Sequence, residues 1–137
     1  MTDHGRHPDH PIQSLPQSFR DESIALQQAG IHCWENLRDL SDQRLSSLVR
    51  VGRCSARNLH RLRGMARLVC DLDLPAQDAA LLMHAGIASR EALAGCTPER
   101  LVRQTGRLER TLGTGRPAVV DLRVAQRWIR LARQTTN

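Results

Sequence analysis

The 137-residue sequence has no tyrosine and no lysine, and its aromatic set is Phe19, Trp34 and Trp128. A core with so few aromatics must be filled mainly by Leu, Ile, Val, Ala and Met, most of which favour helix. Long alternating runs of β-branched residues are missing, so strands are not expected and the fold class read here is all-α. No run of 18 apolar residues occurs, which excludes a spanning helix and leaves no membrane partner. The N-terminus lacks a charged start followed by an apolar stretch, so no secretory signal is expected and the cytoplasm is the expected compartment.

Chemistry is thin as well. Cys33, Cys54, Cys70 and Cys96 form no CxxC pair and match no zinc-ribbon or finger spacing, so they read as small, reduced and mostly buried residues. Gly113-Thr114-Gly115 lacks the lysine and second half of a phosphate-binding loop, and no HExxH occurs. His32, His60 and His84 fall on separate predicted elements, with no nucleophile and acid beside them. The reading is a non-enzyme with no cofactor and no metal.

What the chain does have is an internal repeat. Leu26-Gln27-Gln28-Ala29-Gly30-Ile31, continuing to Leu37, Arg44 and Leu45, returns 56 residues later. The second copy is Leu82-Met83-His84-Ala85-Gly86-Ile87, continuing to Leu93, Arg100 and Leu101. Such a repeat means one supersecondary unit used twice around a shared core. Each copy predicts an apolar helix, a glycine that stops it, a short second helix, a capping residue and a third helix. Helices are expected over Phe19 to Ala29 with Ile24 inward, Cys33 to Leu40, and from a Ser41 cap to Gly52. A further helix runs from a Ser55 cap to Cys70. The second copy predicts helices from Pro75 to Ala85, from Ser89 to near Gly95, and from Thr97 to a stop at Gly106. The last helix is expected from Pro117 to Arg133, burying Ala118, Leu122, Ala125, Trp128, Ile129 and Ala132. Residues 1–17 read as a disordered tail. His4, His7 and His10 in it are separated by prolines and read as solvated.

Charge comes in blocks. Residues 43–70 hold seven Arg and no acid, and residues 99–137 hold nine Arg against three acids. Residues 1–42 and 71–98 are net acidic, within a chain of formal charge +6. Because every Lys-or-Arg position is Arg, each cation is a planar fork suited to phosphate or carboxylate. Arg50, Arg53, Arg57 and Arg61 follow helical spacing, Arg63 and Arg67 lie to one side, and Arg123, Arg127 and Arg130 repeat the pattern on the last helix. These nine are the candidate binding residues, for duplex DNA or other nucleic acid. A GC-rich genome would also account for all-Arg usage. The basic blocks could equally meet the acidic ones within the fold or between subunits, or dock an acidic protein partner. The oligomeric state is not legible.

The Gly-centred turns and their duplication are similar to the helix-hairpin-helix superfamily. Several pieces together resemble the uncharacterised DUF4332 family: Leu26 to Leu37, Val51-Gly52-Arg53-Cys54, Met65 to Leu68, Ala80 to Ile87, and Pro117 to Ala132. The resemblance covers roughly residues 18–134. It implies a duplicated helix-hairpin-helix (SAM-like) domain of two pseudo-symmetric halves, copy one 18–70 and copy two 75–134, with Gly30, Gly52, Gly86 and Gly106 as hairpin glycines. It also implies weak, sequence-independent DNA binding, the alternative being a small helical adaptor or scaffold. The hairpin of that superfamily carries two glycines around a hydrophobic residue, and each turn here keeps only one, which supports the fold more than the DNA contact.

Overall fold

A computed structural model describes residues 10–12, 15–112 and 120–134, with the backbone alone for residues 107–112. Among these residues the fold is all-α. A 3₁₀ turn, Gln17–Phe19, leads into α1 (Arg20–Gln28), α2 (Trp34–Arg38), α3 (Asp42–Val51) and α4 (Ala56–Leu72). Then follow α5 (Ala76–His84), α6 (Arg90–Ala94), α7 (Pro98–Leu112) and α8 (Leu122–Gln134). The starts of α1 and α5, of α2 and α6, and of α3 and α7 keep the 56-residue offset of the sequence repeat.

Local chemistry explains the boundaries. The hydroxyls of Ser41, Ser55, Ser89 and Thr97 accept the backbone N–H three residues on, and the Asp121 carboxylate does the same for Val124. Each satisfies a donor that the first helical turn leaves without an intrahelical partner. The two matching stops are also chemically alike. Gly30 and Gly86 have φ of 80° and 88°, a region where a side chain is strained. Ile31 N–H then reaches back to Leu26 C=O, and Ile87 N–H to Leu82 C=O, at 2.9 and 2.8 Å. This six-residue closure with a buried apolar pair beneath it is the Schellman arrangement.

Leu26, Ile31, Leu37, Leu45, Leu82, Ile87, Leu93 and Leu101 all lie in one hydrophobic core. At its centre, α4 packs against α2, α3, α5, α6 and α8. The packing of α2 on α4 is matched by that of α6 on α8. Gly64 makes the central position of α4 possible: a Cβ there would stand 2.1 Å from the Ala88 carbonyl oxygen. The helix therefore lies against the backbone that follows the Gly86 stop.

Four expectations change. Gly106 is not a hairpin glycine, because α7 runs through it to Leu112. After Gly52 a new capping residue, Ser55, is ready to start another helix, whereas Arg103, Gln104, Arg107 and Leu108 around Gly106 favour helix and glycine there costs only about 1 kcal/mol. Ile24 is 46% exposed, since Glu22 and Leu26 take the inward stripe of α1. Leu122 is 47% exposed, the buried stripe of α8 starting one turn later at Ala125. His10, Pro11 and Ile12 do not hang free. Trp34 N–H donates to His10 C=O, Ile12 N–H donates to His32 C=O, and Pro11 faces Cys33 in an antiparallel bridge. The expectations for His4, His7, Gly113-Thr114-Gly115, Pro117 and Ala118 lie outside the described residues.

Candidate nucleic-acid interface

The turn between α3 and α4 is built from Arg50-Val51-Gly52-Arg53-Cys54-Ser55. Gly52 is extended, with φ −121° and ψ −164°, so its backbone is open to any residue. Cys54 is buried, and Gly52 sits against Ala25 of α1, which anchors the turn from beneath. Val51, at the tip, is 88% exposed. Arg50 and Arg53 flank it and Arg57 follows on the first turn of α4, all three exposed. Among the described residues none of the three makes an ion pair. Arg38 pairs with Asp39 and Asp71, Arg63 with Asp42, Arg90 with Glu91, and His10 with Glu35.

The structure does not keep the nine candidate arginines together as one surface. Arg63 is buried and internally committed: its guanidinium donates to Leu40 C=O at 2.9 Å, meets Asp42 at 2.8 Å, and contacts the His60 ring. Its place on the inward side of α4 turns a candidate ligand into a tie between α4 and the start of α3. Arg63's hydrogen bond and charge hold the Asp42 carboxyl below its ordinary value, with help from His60 and the exposed Arg67. Arg61 is half-buried, with its guanidinium 5.6 Å from the Phe19 ring centre. Phe19 in turn stacks on His84, with ring centres 6.1 Å apart. Burial, and then the Arg61 charge, pushes His84 below its ordinary value. Arg123, Arg127 and Arg130 stand exposed on α8, a helix with no acid of its own.

Glu22 carries a role that sequence reasoning misses. It is 3% exposed, and its carboxylate accepts the Ser55 N–H at 2.9 Å. A carboxylate from α1 thus already occupies the positive end of α4, where an anion would be favoured. The exposed positive charge of this turn is therefore on its arginine side chains. The Gly30 turn is likewise covered: Arg44 donates to Ala29 C=O at 3.0 Å, and the His10–Ile12 segment is bonded to the chain just beyond it. Position alone marks none of these contacts, because each joins residues far apart in sequence.

The perturbed groups are each explained by their own surroundings. Burial, followed by the Glu35 charge, pushes the Cys70 thiol up to about 12, and burial with Glu22 and Asp21 raises Cys54. Both are held away from the nucleophilic thiolate. Burial pushes Glu35 up, but hydrogen bonds from the His10 backbone and ring outweigh it and hold the carboxyl below its ordinary value. Among the described residues, no three His, Cys, Asp or Glu side chains are placed to hold a metal ion. No described helix is long and apolar enough to cross a membrane.

An all-α chain with a repeated helix, glycine stop and short helix is the class that these observations define. The family model of a domain of unknown function, DUF4332, matches residues 16–135, and the chain belongs to that family. No curated protein and no solved structure matches it.

Proposed function

We propose that the chain is a duplicated helix-hairpin-helix, SAM-like domain that binds the phosphate backbone of nucleic acid without reading sequence. The matched offsets of the helix starts, the paired glycine stops, and the parallel packing of α2 on α4 and α6 on α8 support two pseudo-symmetric halves. On this reading copy one spans 18–70, copy two spans 75–134, and the module is not an enzyme. The raised Cys54 and Cys70 thiols and the scattered histidines support the absence of catalysis.

The observation that carries the reading is the α3–α4 tip. Arg50, Arg53 and Arg57 are exposed and free of acidic partners among the described residues, and they are grouped beside one turn. Of the acids that act on this turn, Glu22 is engaged on the Ser55 N–H, and Asp21 is exposed on α1 within electrostatic reach of Cys54. Planar guanidinium forks on a protruding turn suit phosphodiester oxygens, and nothing about them selects a base. Binding of this kind has a Kd of about 10⁻⁴–10⁻⁶ M at physiological salt.

Fluorescence anisotropy with two labelled duplexes of unrelated sequence tests this. Equal affinity for both, weakened but still measurable when Arg50, Arg53 and Arg57 are all changed to Gln, is the expected result. The exposed Val51 favours a second reading, a helical adaptor whose tip inserts an apolar side chain into a protein partner. That reading expects no DNA affinity and loss of the partner on Val51→Asp.

A further inference from the structure

A groove of about 580 Å³ lies where the start of α7 meets the second half of α8. Pro98, Gln126, Ile129, Arg130, Arg133 and Gln134 line it. It is separate in composition from the α3–α4 tip, sharing no residue with it. Its chemistry also differs. The tip is a ridge of charge, whereas this surface is a shallow, open depression, with Ile129 almost wholly buried beneath it and Pro98 at one side. Arg130 is exposed, and Arg133 donates through Nε to Ala94 C=O at 3.0 Å, which orients its guanidinium. Two side-chain amides complete the lining.

We infer that this groove docks a short extended peptide segment carrying carboxylates on either side of an apolar residue. Charge complementarity selects an acidic occupant: among the described residues no acid lines the groove, and none occurs within α8. Arg130 offers a bidentate fork to a carboxylate. Gln126 and Gln134 each offer both a donor and an acceptor, which matches the peptide backbone. Pro98 at the side and Ile129 beneath give an apolar side chain a place that a phosphodiester backbone has nothing to fill. The volume falls within the roughly 300–1,000 Å³ of ligand-sized sites. A second copy of this chain is a poor occupant, because its formal charge is +6.

The probe is a fluorescein-labelled peptide, Glu-Glu-Leu-Glu-Glu-Leu, followed by anisotropy with the full chain. The controls are an all-Glu peptide of equal length and a peptide with Gln in place of each Glu. Arg130→Glu, and separately Gln126→Trp to fill the groove from an exposed position, should each weaken the Glu-Leu peptide about tenfold or more. Arg57→Gln should leave its affinity unchanged, and the all-Glu and Gln-Leu peptides should both bind about tenfold more weakly than the Glu-Leu peptide. Equal binding of the all-Glu peptide, equal loss in Arg57→Gln, or equal competition by duplex DNA would overturn the assignment and leave only general polyanion attraction. Because Arg57 serves the tip and Gln126 the groove, failure here leaves the nucleic-acid reading standing, and the reverse also holds.

Discussion

At the scale of single residues, glycine serves this fold in two different ways. Gly30 and Gly86 are needed for their positive φ, since nothing lies within 4 Å of a Cβ built at either. Changing either to Ala should therefore cost about 1–2 kcal/mol of backbone strain alone, and the two losses should be equal within error in urea denaturation. Gly64 has ordinary helical geometry and no room at all. Gly64→Ala drives a methyl into the Ala88 carbonyl and should cost about 3 kcal/mol or more, above either Gly30→Ala or Gly86→Ala. Gly52 needs neither exemption, because its neighbours sit at ordinary contact distance and its φ is negative. His84 supplies a pH signature. Folding holds its imidazole below the ordinary value of 6.5, so the unfolded chain takes up a proton before the folded one does. Stability should then fall as pH drops below about 6.5, and level off once the folded residue is also protonated. His84→Gln, which installs the residue that the first copy carries at Gln28, should remove that part of the pH dependence. An unchanged pH profile in the variant would show that His84 is not its source.

At the scale of elements, the repeat is readable because each copy announces itself with the same local chemistry. A Leu, an Ala and a Gly stop α1 and α5, and Ser41 and Thr97 open α3 and α7. Capping and hydrophobic spacing are near-neighbour effects, so the chain displays them directly. Gly106 misleads because a glycine stops a helix only when the residues beyond it begin something else. The contacts that fix how helices meet are not readable. Glu22 to Ser55, Arg63 to Leu40 and Gly64 to Ala88 span 23 to 33 residues or cross the two copies. Glu22→Ala should cost about 1.5–3 kcal/mol, because it removes a buried charge-assisted acceptor from the α4 terminus; urea denaturation reads that loss. Leu93→Ala in α6, with the side chain fully buried, should cost about 2–5 kcal/mol. If Leu93→Ala were silent in calorimetry, the shared core would be wrong.

At the scale of the molecule, the excess of arginine has a direction. The fold spends Arg44, Arg61 and Arg63 on its own carbonyls, an aromatic ring and Asp42. It leaves Arg50, Arg53, Arg57 and Arg67 on one half of the chain, and Arg123, Arg127 and Arg130 on the other, facing solvent. Charge blocks are visible in the sequence, but helical spacing alone does not say which side of α4 turns inward, so structural and external arginines look alike there. Salt dependence reads the external set most directly. Each phosphate contact on B-DNA contributes about −0.9 to the slope of log K against log salt concentration. Measured by anisotropy on duplex DNA, the Arg50, Arg53 and Arg57→Gln triple variant should keep its fold and lose roughly two to three units of slope at that rate. An unchanged slope in a folded triple variant would contradict the account and remove the α3–α4 tip from the interface.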